Sequence, residues 1–169
     1  MKRTIATLAV MIAPLNAPLT ASAEEETALV QFRSLKPEVA LDLAMATLEA
    51  CRAEGYQVAV VVVDRAGLEQ VVLRDRYAGP HTVSTATRKA WTSVSFRAGT
   101  LELAELTGSD PKFGGLREVT GALFLGGGLP VEAAGTIVGG IGVSGAPAPD
   151  LDEACAEAGL DAISDRLDF

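Results

Sequence analysis

The chain has one histidine, His81, within "LRDRYAGPHTVSTATRKAWTSVSFR", residues 73–97. From Arg74 to Arg97 five basic side chains (Arg74, Arg76, Arg88, Lys89, Arg97) meet a single acid, Asp75, in a chain whose formal net charge is −8. An imidazole can carry a proton near neutral pH or donate to a metal ion, and Tyr77 offers an oxygen donor instead. Guanidinium and ammonium groups hold carboxylates through charge-assisted hydrogen bonds. The segment therefore suits a small anionic ligand, with His81, Tyr77, Arg74, Arg76 and Lys89 as candidate contacts. The same residues also suit a solvated hairpin end and helix face, or a contact between copies. His81 would then be a helix-start residue bonded to local backbone, and Tyr77 a packing residue. One histidine with scattered acids cannot make a closed zinc site, which needs several His or Cys ligands.

A second candidate is Gly140-Ile141-Gly142-Val143-Ser144-Gly145, which spells G-x-G-x-x-G after a β-branched run. A dinucleotide loop works because a helix starts within it and aims free N–H groups at the pyrophosphate. Here Pro147 and Pro149 push the residues before them out of the helical region, so the helix starts near Asp150. The 24 residues after Gly145 hold one helix and no second strand, so no NAD site is expected. The glycines instead let a strand end pack closely on a neighbouring backbone or turn sharply. The run Gly142-Val143-Ser144-Gly145-Ala146 also lacks the second glycine of a G-x-S-x-G nucleophile elbow.

These residues must be positioned by a chain whose first 23 residues have the build of a secretory signal peptide. Lys2 and Arg3 precede an apolar run, Ile5 to Leu15, and Ala21-Ser22-Ala23 is an A-x-A cleavage site. Cleavage leaves 24–169 as one domain of 146 residues, periplasmic or secreted, with 12 basic and 22 acidic side chains once Lys2 and Arg3 are gone. A domain of that size buries roughly 70% of the surface exposed on unfolding. Its net charge of −10 argues against nucleic acid or an anionic membrane as a partner.

Helical spacing predicts α-helices over 37–54, 82–96 and 100–107, with a last one from Asp150, where Asp150 and Glu153 have capping-box spacing. Strands are expected at 57–63, 68–74, 122–125, 129–131 and 136–144. The order α-β-β-α-α-β-β-β-α, with tight turns between strands, is an α+β layout with an antiparallel sheet. The segment 110–116, "DPKFGGL", reads as a loop able to close over a ligand, or as a rigid turn. Trp91 and Phe96 suit either the core or an apolar pocket.

"VVVDRAGLEQVVLRD", "TRKAWTSVSF" and "GGLPVEAAGTIVGGIGVSGAPAPDLDEACAEAG" together resemble the haem-binding HbpS/GlcG-like family, from about Pro37 to Ile163. The resemblance implies a single domain with a five-stranded antiparallel sheet flanked by helices, assembled into homo-oligomers. Members of the family include haem-binding and haem-degrading proteins, which makes haem the expected cofactor. The family shares no one ligation pattern, so His81 or Tyr77 as iron ligand, and the basic segment for the propionates, rest on residue type alone. Lys89 matches a lysine usual in the family, either at the ligand or in a salt bridge. No C-x-x-C-H is present, which excludes covalent haem attachment. The family is not uniform in function, and fold does not settle it.

Cys51 and Cys155 fall near the end of the first helix and the start of the last. In an exported chain they pair if those helices pack antiparallel; otherwise they are small apolar residues in a helix interface. Neither has a base nearby in sequence. The expectation is an exported binding protein for haem or a related anionic tetrapyrrole, which assists its storage or its redox degradation. Any degradation would come from the bound iron, with no catalytic dyad. The alternatives are an accessory or enzyme of small hydroxy- or keto-acid metabolism using Lys89 and His81, and a structural subunit with a vestigial pocket.

Overall fold

The valine run at 60–63 lies at the centre of the molecule. β1 (Ala59–Asp64) is buried on both faces: Val60 and Val62 pack with Leu43, Leu48 and Ile141, while Ala59, Val61 and Val63 pack with Ala86, Ala90 and Val94. Two covered faces explain why this strand is continuously apolar and not alternating. The computed structural model describes residues 28–167, of which 32–167 belong to one unit. The expected leader, 1–23, lies outside the described residues.

Four strands form an antiparallel sheet in the order β2 (Glu69–Arg74), β1, β4 (Thr136–Ser144), β3 (Gly128–Ala133). α1 (Pro37–Ala53) and α4 (Pro149–Ala162) pack together on one face. α2 (Thr82–Phe96) covers the other, and α3 (Thr100–Ser109) follows it. The α+β, single-domain antiparallel layout is therefore present.

The fifth strand is not. Residues 122–125 join no strand, because side chains of α2 and α3 occupy their backbone groups. The Ala122 carbonyl accepts from Arg88 at 2.7 Å, the Leu123 N–H donates to Thr92 Oγ1 at 2.8 Å, and the Leu125 carbonyl accepts from Thr100 Oγ1 at 2.7 Å. Extended patterning makes a strand only where a partner backbone is in reach.

The segment expected as a mobile or rigid loop winds into a 3-10 helix, Pro111–Glu118. Asp110 accepts from the Lys112 N–H, and Arg117 reaches back to Thr107 Oγ1 at 3.0 Å and the Ala104 carbonyl at 3.1 Å. Trp91 lies against Gly67 and Gly121, and Phe96 meets Phe124 edge-on at 5.1 Å between centroids. These rings pack within the fold.

Two close approaches hold the layers. A Cβ on Gly142 would sit 2.0 Å from the Ala86 carbonyl oxygen, so the glycine run exists to let α2 lie directly on β4. Cys51 and Cys155 form a disulfide between the last turn of α1 and the second turn of α4, with Cα atoms 5.4 Å apart and a sequence separation of 104. Closing a loop of that length stabilises the fold by about 4–5 kcal/mol in the chain-entropy account.

A third tie joins α1 to the end of β2. Arg52 grips Asp75 with two bonds, Nε to Oδ2 at 2.7 Å and a terminal nitrogen to Oδ1 at 3.0 Å. That guanidinium, helped by the Arg76 N–H, holds the buried Asp75 carboxyl down at about 2 from its ordinary 3.8. A depressed carboxylate contributes stability above its unfolded pKa, and the contribution is lost as pH falls through the folded value. The acid limb of the Tm-against-pH curve should therefore be steeper for the wild type than for Asp75→Asn between pH 3.8 and 2. Parallel limbs would show that the pair has no part in acid stability.

Candidate functional site

β4 ends at Ser144 opposite the start of β1, and the chain then runs through Gly145 and two prolines into α4. The turn after α1 (Gly55–Gln57) and the first turns of α2 converge on the same end of the sheet. Between these walls lies an open cleft of about 590 Å³. Its volume is within the roughly 300–1,000 Å³ usual for small-molecule sites. Leu125, Ala146, Pro147, Ala148 and Pro149 give it apolar surface. Tyr56, Gln57, Tyr77, His81 and Thr85 bring polar groups.

The floor is a buried ion pair. Lys89 comes from α2 with its side chain 1% exposed, and its Nζ donates to Asp152 Oδ2 at 2.8 Å and to the Val143 carbonyl at 2.9 Å. Asp152, from the first turn of α4, takes the Ala146 N–H on its other oxygen at 2.9 Å. Burial pushes the Lys89 pKa down and the Asp152 pKa up, and in each case the partner's charge opposes the shift. Each charge is thus held by the other.

Glu153 is the neighbour expected to close a capping box. Its carboxylate instead accepts from the Gly127 N–H at 2.9 Å and the Leu101 N–H at 3.3 Å, and α4 carries no side-chain N-cap. A Cβ on Gly127 would be 2.7 Å from the Asp152 Cβ and 3.1 Å from Lys89 Nζ. The Gly126–Gly128 turn is therefore built against this network.

At the mouth stand His81 and Tyr77, both exposed, with Tyr77 at 80%. His81 sits at the N-cap of α2, where its carbonyl accepts from Ser84 Oγ, Thr85 Oγ1 and the Thr85 N–H. Its ring makes no capping bond and lies over Gly79, where a Cβ would meet it at 2.7 Å. The His81 carbonyl, not its ring, serves the helix start, and His81 is among the residues that line the cleft.

The basic cluster read along the chain disperses in space. Arg74 holds the Ala78 carbonyl, Arg88 holds the carbonyls of Gly121 and Ala122, and Arg97 ends α2 in the left-handed region. None of these three lines the cleft, and neither does Arg76, although it adjoins Tyr77 on an exposed turn. Of the five candidate contacts, the cleft unites His81, Tyr77 and Lys89.

A model for the family described as "Haem degrading protein HbpS-like" matches residues 35–161. The chain belongs to that family. Its structure is similar to that of a double mutant of HbpS from Streptomyces reticuli, at 45% identity, TM-score 0.75, and coverage of 89% of this chain and 99% of that one. It is also similar to a PduOC:heme complex, at 27% identity, TM-score 0.70, and coverage of 77% and 95%. A third is ORFY of Klebsiella pneumoniae, at 26% identity, TM-score 0.77, and coverage of 82% and 96%. Among the curated proteins none matches.

In this HbpS-like chain the residues missed by pattern are Asp152, Glu153, Tyr56 and Gln57. The acids carry a faint signal, since "DLDE" sits at a helix start and reads as ordinary first-turn charge. That Asp152 points inward to Lys89 depends on contacts 63 residues apart. Gln57 Oε1 is buried at the cleft without a hydrogen-bond partner.

Removing one member of a buried pair leaves an uncompensated charge. Lys89→Met should therefore lower unfolding free energy by about 3–5 kcal/mol, measured by urea denaturation. Adding Asp152→Asn should recover part of that loss. An unchanged midpoint in the single variant would mean that Lys89 has no structural role.

Proposed function

We propose that this HbpS-like protein works outside the cytoplasm as a homo-oligomer and holds haem, or a related anionic tetrapyrrole, in the cleft at the end of β4. The single observation carrying this reading is that the exposed residues His81 and Tyr77 both line a cleft with proline, alanine and leucine in its walls. The family description and the haem complex of a 27%-identical relative support it. The leader-like residues 1–23 and the Cys51–Cys155 disulfide support the location, because disulfides persist in oxidising compartments.

The residues fit the group unevenly. His81 offers the nitrogen donor and Tyr77 the alternative oxygen donor that haem iron takes. The apolar walls suit the macrocycle. On the propionate side, Arg76 is the cation nearest Tyr77 in the chain, while Arg74 is occupied with the Ala78 carbonyl. Bound iron would supply whatever redox chemistry leads to storage or breakdown, and the protein's residues position it and restrict water.

The small-acid alternative is weaker. It needs the Lys89 ammonium at the substrate carboxylate, and that group already has a carboxylate partner in Asp152.

Haemin titration of residues 24–169, followed by the Soret band, tests the reading. We expect saturable one-to-one binding, and a band position that changes in His81→Ala but not in Tyr77→Phe. A change in Tyr77→Phe alone would move the iron to the phenol. The absence of saturable binding at micromolar haemin would overturn the haem assignment and leave a structural subunit.

A further inference from the structure

The disulfide joins the two elements that form the rear of the cleft. On one side, Tyr56 donates its N–H to the Cys51 carbonyl at 2.9 Å, so Gly55–Gln57 hangs directly from the half of the bridge in α1. On the other, Cys155 is three residues after Asp152, within one turn of the residue that carries the ion pair and the Ala146 N–H. The walls also touch: a Cβ on Gly145 would lie 2.6 Å from the Gln57 carbonyl oxygen. Asp152 and Glu153 tie the start of α4 to α2, α3 and the Gly127 turn. Neither ties it to α1, so the covalent link between the two rear walls is the bridge.

The bridge is also within reach from outside. A groove of about 420 Å³ runs between α1 and α4, with Glu54, Tyr56, Leu151 and four alanines in its lining, and Cys155 forms part of its wall while Cys51 does not. Cys155 is 4% exposed and Cys51 fully buried, so Cys155 Sγ is the sulfur that a thiolate entering the groove would attack.

We propose that Cys51–Cys155 is a redox-controlled clamp on the cleft: oxidised, it holds Gly55–Gln57 against 145–149, and reduction by a dithiol loosens that wall and weakens ligand binding. The step balances. A reductant thiolate attacks Cys155 Sγ, the S–S bond breaks, and Cys51 leaves as a thiolate and takes a proton. The second reductant thiol then resolves the mixed disulfide. The protein gains two electrons and two protons as two thiols, and the dithiol leaves as its own disulfide. The ligand-binding half of this inference rests on the haem reading above, and the wall-loosening half does not.

The test uses residues 24–169, oxidised and dithiothreitol-reduced, with Cys51→Ala/Cys155→Ala as a permanently open form. Amide hydrogen exchange at Tyr56, Gln57 and Ala146 should rise about tenfold on reduction and stay insensitive to low denaturant, the mark of local opening. Val61 and Val62 in β1 should follow global unfolding and report the lost loop-closure stabilisation. Haemin affinity should fall about tenfold in parallel. Wall exchange that merely tracks β1 across denaturant would make the bridge a global staple alone and overturn the proposal, as would unchanged exchange at the wall. A bridge that resists dithiol under native conditions would overturn the redox control. If neither form binds haemin but the wall amides respond, the haem reading fails and the clamp stands. If the double variant does not fold, the reduced wild type decides the matter alone.

Discussion

The arrangement at the end of β4 depends on one buried ion pair. Lys89 and Asp152 carry opposite charges into a buried site at the floor of the cleft, and each offsets the cost of burying the other. Their bond crosses the end of the sheet, from the helix on one face to the helix on the other. The two further bonds, to the Val143 and Ala146 backbone, fix where β4 stops and how the chain turns into α4. The floor of the cleft and the meeting of the layers are the same contact.

Close backbone approach makes that contact reachable. Gly142 lets α2 settle on β4, and Gly127 leaves room beside Asp152 and Lys89 Nζ. With side chains at those positions, the helix and the turn would stand off and the ammonium would fall short of its carboxylate. The glycine-rich strand end, which superficially resembles a nucleotide cradle, is a packing device. Lys89 accordingly positions the site's walls, and the groups presented to a ligand are those at the mouth, His81 and Tyr77.

Most of the layout was legible along the chain because it comes from short-range signals. Period and punctuation mark α1, β1, the β1–β2 hairpin and the final strand, and Pro149 with the preceding proline locates the start of α4. For Cys51 and Cys155 the sequence left a disulfide and an apolar helix contact both open, and the packing of α1 on α4 decides for the disulfide. What failed was information carried by partners. Residues 122–125 look like a strand, but the hydroxyls of Thr92 and Thr100 and the guanidinium of Arg88 reach them before any strand does. Glu153 has capping-box spacing, yet finds better donors at Gly127 and Leu101. The basic run from Arg74 to Arg97 is dense in sequence, but a hairpin end and a helix send successive side chains in different directions. Arg74 and Arg88 meet backbone carbonyls and Lys89 meets Asp152.

The central claim is spatial: a ligand of the haem type sits at the end of β4, between the start of α2 and the start of α4. The most direct measurement is an amide NMR spectrum of residues 24–169 with and without haemin, reading which signals the paramagnetic iron broadens. The account expects broadening centred on residues 77–85, with 55–57 and 144–149 at its edge, and undisturbed signals in α3 and at the β3–β4 turn. Broadening centred on the opposite end of the sheet, around Phe32 to Val39 and Val138, would contradict it.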